Sequence, residues 1–220
     1  MFDINNFSSF ALGEWVAPQG ANRDVHSAIT GKVLGAVGGT LDVEAMRDYA
    51  KTHGGPALRA LNFHDRARMI KALALYLRDH RRALYELSFE TGATIADSKI
   101  DIDGGIGTML VYASKGRREM PEGHIFPDGD LEVLSRDGSF LGQHICTPLR
   151  GVAVQINAFN FPVWGMLEKL APSLLAGMPS LIKPATSTGF LAQAVVRLML
   201  QSGLLPDGAV QLILSLIHIS

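Results

Sequence analysis

The sequence predicts an α/β chain in which a parallel βαβαβ sheet of the doubly wound kind follows a helical N-terminal segment and a projecting β-hairpin. Three stretches carry that expectation. Residues 151 to 186, GVAVQINAFNFPVWGMLEKLAPSLLAGMPSLIKPAT, read as strand, tight loop, helix and strand; residues 188 to 213 add a second helix and a third strand; and Asp137-Gly138 separates two strand-like runs. A strand that returns parallel to its neighbour through a helix is a βαβ crossover. Two crossovers in succession make the first half of a doubly wound sheet, and the second half is expected beyond residue 213.

Taken in order, residues 10 to 40 are rich in glycine and short apolar runs (FALGEW, ITGKVLGAV) and suit irregular β structure. Asp42 is placed to cap a helix from Val43 to His53, with Gly54-Gly55-Pro56 as its stop. Asn62 is placed to cap a second helix that buries Ala67, Ile70, Leu73 or Ala74, and Leu77. Asp79 is placed to cap a third, with Leu84 and Leu87 inside and Gly92 past its end. Arg66, Arg68, Lys71, Arg78, Arg81 and Arg82 form a basic run on these helices and read as a solvated face. A further helix is expected from Gly104 or Gly105 to Arg118. Its Gly104-Gly105-x-Gly107 cluster follows no apolar strand, so close helix packing explains it better than a phosphate loop. Leu131 to Arg136 and Ser139 to Cys146 flank Asp137-Gly138, the strongest short hairpin signal.

In the central stretch Val152, Val154 and Ile156 alternate with Ala153 and Gln155, apolar enough for a strand covered on both faces. Pro162 suits a first helical turn, Leu167, Leu170, Leu174 and Leu175 recur at helical spacing, and Gly177 can end that helix. Leu191, Ala194, Val195, Leu198 and Met199 mark the buried face of the next helix, Thr188 to Ser202, before a strand from Ala209 to Ile213. Ligands of such sheets sit beyond the carboxyl ends of the strands. Asn160 and Lys183 both fall there, one neutral amide and one fixed cation, which suits an anionic cofactor lying along the sheet edge.

Composition narrows the classes. A hydrophobic content of 47% with 19% charged residues is that of a globular chain, and a formal charge of −1 favours neither nucleic acid nor an anionic membrane as partner. The N-terminal MFDINNF has no basic or apolar signal region, and the apolar stretch around residues 163 to 182 is broken by Glu168, Lys169 and Pro172. With one cysteine, Cys146, an internal disulfide is excluded and a cytoplasmic location fits.

FNFP after an apolar strand, then LEKLAPSLLAG, then a strand ending in KPAT, resembles the aldehyde dehydrogenase superfamily. GGPALRALNFHDRA, TGATIADSKIDIDGGIGTMLVYASKGRRE and INAFNFPVWGMLEKLAP are most similar to the dehydrogenase domain of bifunctional ring-opening enzymes of phenylacetate degradation. The likeness covers nearly all of residues 1 to 213. It implies a fold division of 1–120 (helical segment), 121–150 (oligomerisation hairpin) and 151–213 (first half of a Rossmann-like nucleotide unit). Residues 214–220 depart from the family and read as an artefactual tail.

The resemblance also implies roles. Asn160 matches the side-chain donor to the oxyanion; taken alone, an asparagine before a helix can equally be its cap. Lys183 matches the residue that binds the adenosine ribose, and Ile156, Ala158, Phe159, Ala185 and Thr186 match walls of the cofactor site, with no metal. Thr186 stands where NAD-linked relatives carry a glutamate, which favours NADP while leaving NAD possible; the alternative is that Thr186 caps the following helix. Cys146 lies upstream of the nucleotide unit and does not match the nucleophile, so the nucleophile, the glutamate base and any hydratase domain are expected beyond the chain's end. The implied activity is NADP-linked oxidation of an aldehyde, a CoA-linked semialdehyde, by a homo-oligomer assembled through residues 121–150. A semialdehyde dehydrogenase of another pathway, and a non-catalytic binding fragment, stay open beside it.

Overall fold

The structure is a computed structural model and describes residues 7–20 and 22–214. The elements are β1 (Ser9–Ala11), β2 (Glu14–Val16), β3 (Asn22–His26), β4 (Val33–Gly38), α1 (Val43–Tyr49), α2 (Gly55–Ala60), α3 (Phe63–Asp79), α4 (Arg81–Ser88), α5 (Ile95–Arg118), β5 (Phe126–Val133), β6 (Leu141–Cys146), β7 (Ala153–Ile156), α6 (Trp164–Leu175), β8 (Ser180–Lys183), α7 (Gly189–Gln201) and β9 (Val210–Leu212). The βαβαβ expectation holds: β7, β8 and β9 are parallel neighbours in that order, joined through α6 and α7.

The sheet is larger than the sequence suggested. β1 pairs antiparallel with β9, Phe10 opposite Leu212, and β2 pairs with β1, so the order is β2-β1-β9-β8-β7. The β9 edge is therefore covered, and the sheet is open at β7. One face packs against the helical layer, where α3, α5 and α6 bury a continuous core including Ile70, Leu73, Ile102, Met109, Leu167, Leu170 and Leu174. On the other face Met46 of α1 covers Ala11, Leu181 and Ile213. That cover stops short of β7, whose Val154 and Ile156 are 64% and 61% exposed. β7 is thus covered on one face only, contrary to the two-sided burial its composition suggested.

Several helix boundaries shift for identifiable reasons. Gly54-Gly55-Pro56 does not stop α1; the chain passes through a π-helical stretch, Ala50–Gly54, directly into α2. Gly54 is needed there because a Cβ would overlap the carbonyl of Gly208, in the loop before β9. Asp79 is the last residue of α3, and α4 starts after His80 with no side-chain cap. α5 begins at Ile95, well before Gly104, because Thr94 and Asp97 form a reciprocal capping box. Gly104 and Gly105 do serve close packing: a Cβ on Gly104 would stand 2.6 Å from the Trp164 ring, and one on Gly105 3.0 Å from the Trp164 Cα. Gly107 meets nothing within 4 Å.

Arg66 leaves the solvated basic run. It is fully buried, and its guanidinium donates to the carbonyls of Leu175 (2.8 Å), Leu58 (3.2 Å) and Leu61 (2.7 Å), tying α2 and α3 to the end of α6. Three charge-assisted bonds offset the desolvation that an unpaired buried cation would suffer. Arg68, Lys71, Arg78, Arg81 and Arg82 are exposed as expected.

β5 and β6 form a two-stranded ribbon whose turn is wider than Asp137-Gly138. The Leu134 amide donates to Phe140 O, closing a loop in which Asp137 accepts from the Ser135 and Ser139 hydroxyls and the Ser139 amide. Those bonds hold the Asp137 carboxyl down at about 2 and organise the loop around its side chain. Leu214 is buried, with its amide on Ser9 Oγ at 2.9 Å, while 215–220 of the expected tail lie outside the described residues. Among the described residues no helix is long and apolar enough to cross a membrane.

Candidate active site

The carboxyl ends of β7 and β8 carry every residue singled out from the sequence. Ile156 and Lys183 face each other in the parallel register as the last residues of their strands. From Ile156 the chain turns through Asn157, Ala158, Phe159 and Asn160 into α6. Asn160 is exposed, and its amide makes no hydrogen bond among the described residues. It does not cap α6, which starts at Trp164 instead of Pro162 and has no side-chain cap from its own N-terminus.

That task falls to Asp101 of α5. Its carboxylate accepts from the Val163 amide (3.2 Å to each oxygen) and the Trp164 amide (2.7 Å), two of the donors a helix N-terminus leaves unpaired. Asp101 is 5% exposed; burial pushes its carboxyl up to about 6, against the lowering effect of the two amides. Trp164 lies over Gly104 and Gly105 and meets Phe161 edge-on at 6.1 Å. The turn carrying Asn160 is thereby fixed to α5, with the amide left for another partner. No local pattern announces Asp101, because its partners are more than sixty residues away.

At the second strand end Lys183 is half-buried, and its ammonium donates to Pro184 O at 3.0 Å; burial lowers its pKa. Thr186 opens a short 3-10 turn, Thr186–Thr188, and α7 starts only after Thr188, so Thr186 does not cap it. The Thr186 hydroxyl makes no hydrogen bond among the described residues. Asn157, also missed from the sequence, is 5% exposed with both amide atoms unpaired.

Phe159, Ala185 and Thr186 come together in a cleft of about 400 Å³, together with Ser187 and four residues of β3: Arg23, Asp24, Val25 and His26. Lys183 lines a neighbouring indentation with Val37, Pro184, Thr186 and Leu214. Ile156, Ala158 and Asn160 are exposed but do not line the cleft. Cys146 is exposed on β6, away from that lining.

A parallel sheet with a cleft at its strand ends, an uncommitted amide at the strand-to-helix turn and a lysine at the next strand end together place the chain in the doubly wound α/β class. The aldehyde dehydrogenase family profile matches residues 15–216, and the chain belongs to that family. It is 39% identical over 208 residues to the 3,4-dehydroadipyl-CoA semialdehyde dehydrogenase of Aromatoleum evansii, covering 94% of this chain and 40% of that protein. It is 30% identical over 210 residues to the NADP(+) succinate-semialdehyde dehydrogenase GabD of Escherichia coli K12, covering 91% and 41%. Among solved structures, 3,6-anhydro-L-galactose dehydrogenase in complex with NAP matches with a TM-score of 0.80 and 25% identity, over 95% of this chain and 42% of that one. The chain spans about 40% of the length of these curated relatives.

Proposed function

We propose that this chain supplies the oxyanion donor and the adenosine end of the cofactor site of an NADP-dependent aldehyde dehydrogenase that oxidises a CoA-linked semialdehyde in phenylacetate degradation. The observation that carries the reading is the uncommitted Asn160 amide: Asp101 holds the helix amides, so Asn160 is free to donate to an oxygen that becomes negative during reaction. The strand ends fit a dinucleotide. Asn157 offers buried unpaired polar atoms, Thr186 a free hydroxyl and Phe159 an exposed apolar ring. NADP, when bound, would accept the hydride of the aldehyde. Lys183 and Thr186 would hold its ribose and 2′-phosphate, and Thr186 spares that phosphate the like charge a glutamate would present. The similarity to a CoA-linked semialdehyde dehydrogenase supports the substrate class, and the similarity to an enzyme named for NADP(+) supports the cofactor. A cytoplasmic location belongs to the same reading.

In the full-length protein, Asn160→Ala should lower turnover by about 10²- to 10³-fold, the usual loss for one oxyanion donor, with cofactor affinity nearly unchanged. Steady-state kinetics with a CoA-linked semialdehyde and direct cofactor titration check this. Lost cofactor binding with retained turnover would reassign Asn160.

We further propose that residues 121–150 assemble the protein as a homo-oligomer. The β5–β6 ribbon exposes Leu131, Val133, Leu134, Phe140, Leu141 and Ile145, and an isolated two-stranded ribbon is marginally stable without a surface to pack on. Ile145→Pro should release smaller species in light scattering; an unchanged mass would move the interface elsewhere.

A further inference from the structure

The β3–β4 ribbon lies against the strand ends, and its register shows which side chains it turns towards them. Arg23 pairs with Val37 across the antiparallel ladder, and residues directly opposite project from the same face. Val37 is 2% exposed and lines the indentation that contains Lys183 and Thr186. Val25, two residues beyond Arg23 and hence on the same face, is buried as well. Arg23 itself is exposed, lines the cleft with Thr186 and Phe159, and makes no ion pair or hydrogen bond among the described residues.

We propose that Arg23 is a specificity-determining residue of the nucleotide site: with Lys183 and Thr186 it grips the ribose 2′-phosphate that distinguishes NADP from NAD. This rests on the nicotinamide-cofactor reading above and adds a contact from a separate part of the chain. A guanidinium suits the task because it stays charged and presents paired donors that match phosphate oxygens. The space is right for part of a nucleotide, since about 400 Å³ is at the lower end of small-ligand pockets. Thr186 brings a hydroxyl that nothing else claims. The remaining polar groups of the cleft are few. His26 shares a hydrogen bond with Gly31 O at 3.1 Å, and Asp24, opposite Ala36 and so on the alternate side of the strand, contributes one opposing charge to the lining. Asp24 tempers anion binding, and its removal should strengthen it.

The test uses two probes without a nicotinamide, 2′,5′-ADP and 5′-AMP, titrated calorimetrically into the full-length protein, so that no turnover is involved. Wild type should bind 2′,5′-ADP more tightly. Arg23→Ala should weaken 2′,5′-ADP by about tenfold or more with 5′-AMP unchanged, Arg23→Lys should recover part of the loss, and Asp24→Asn should tighten 2′,5′-ADP. Both positions are exposed, and matching thermal midpoints verify that the three variants fold. If wild type prefers 2′,5′-ADP but Arg23→Ala leaves that preference intact, or weakens both probes equally, the role of Arg23 is overturned while the cofactor reading stands. If wild type binds neither probe, both fall.

Discussion

Two helix N-termini in this molecule are held in opposite ways. At α5 the cap is local and exposed: Thr94 and Asp97 bond each other's backbone within one turn. At α6 it is remote and buried: Asp101 reaches from the middle of α5 to the amides of Val163 and Trp164. A local cap fixes where a helix begins; a remote one also fixes where that helix lies relative to another. Because the second arrangement takes over the role that a preceding asparagine commonly fills, Asn160 remains at a rigid turn with its amide available. An asparagine can stand beside a helix start without capping it only where such a substitute holds the helix amides.

The comparison is sharpened by removing each cap. Asp101→Ala leaves two amides unpaired in a buried site and should cost about 3 kcal/mol, given roughly 1–3 kcal/mol for each unsatisfied buried group. It should also free the Val163 and Trp164 amides to exchange. Urea unfolding and hydrogen exchange measure both, and retained protection at those amides would show that Asp101 is dispensable. The same carboxyl should make stability depend on pH. Its folded value of about 6 stands above the ordinary 3.8, so its contribution is fully present below 3.8 and is lost as pH rises through about 6. Wild type should therefore gain on Asp101→Asn by up to about 3 kcal/mol between pH 7 and pH 4. A difference independent of pH would show that burial does not control this group. Thr94→Ala should cost only about 1 kcal/mol, the typical loss of an exposed N-cap, with the environment of Trp164 unchanged in fluorescence. An effect on Trp164 would erase the distinction between the two caps.

What the sequence made legible follows the same division. The order β7-α6-β8-α7-β9 could be read because each element carries its own period, such as Leu167, Leu170 and Leu174 on α6. The Asn62 cap of α3 could be read because its acceptor lies three residues from its donor, Asp65 N. Arg66 could not: a charged residue on a helix is usually solvated, and the carbonyls that satisfy this one converge from three segments. Nor did Gly54 reveal itself, since the reason for it is the approach of Gly208 and not a helix stop. Asn160, Lys183 and Thr186 were singled out through short motifs and lie at the ends of neighbouring strands, whereas the positions of Asp101, Asn157 and Arg23 depend on packing between distant parts of the chain.

The pairing of β1 with β9 has a consequence for how the molecule is made. Leu12 donates its amide to Gln211 Oε1 at 3.0 Å, across 199 residues of chain, and the same glutamine donates to Met46 O at 2.8 Å. A ribosome adding about 5–20 residues per second needs about 10–40 s between synthesising one partner and the other. Through that interval β1 has only the short hairpin with β2, Ser9 opposite Val16, to occupy one of its edges. The nascent chain therefore carries an unfinished sheet edge until its last described strand emerges, and a chaperone that shields extended segments would act most usefully in that window.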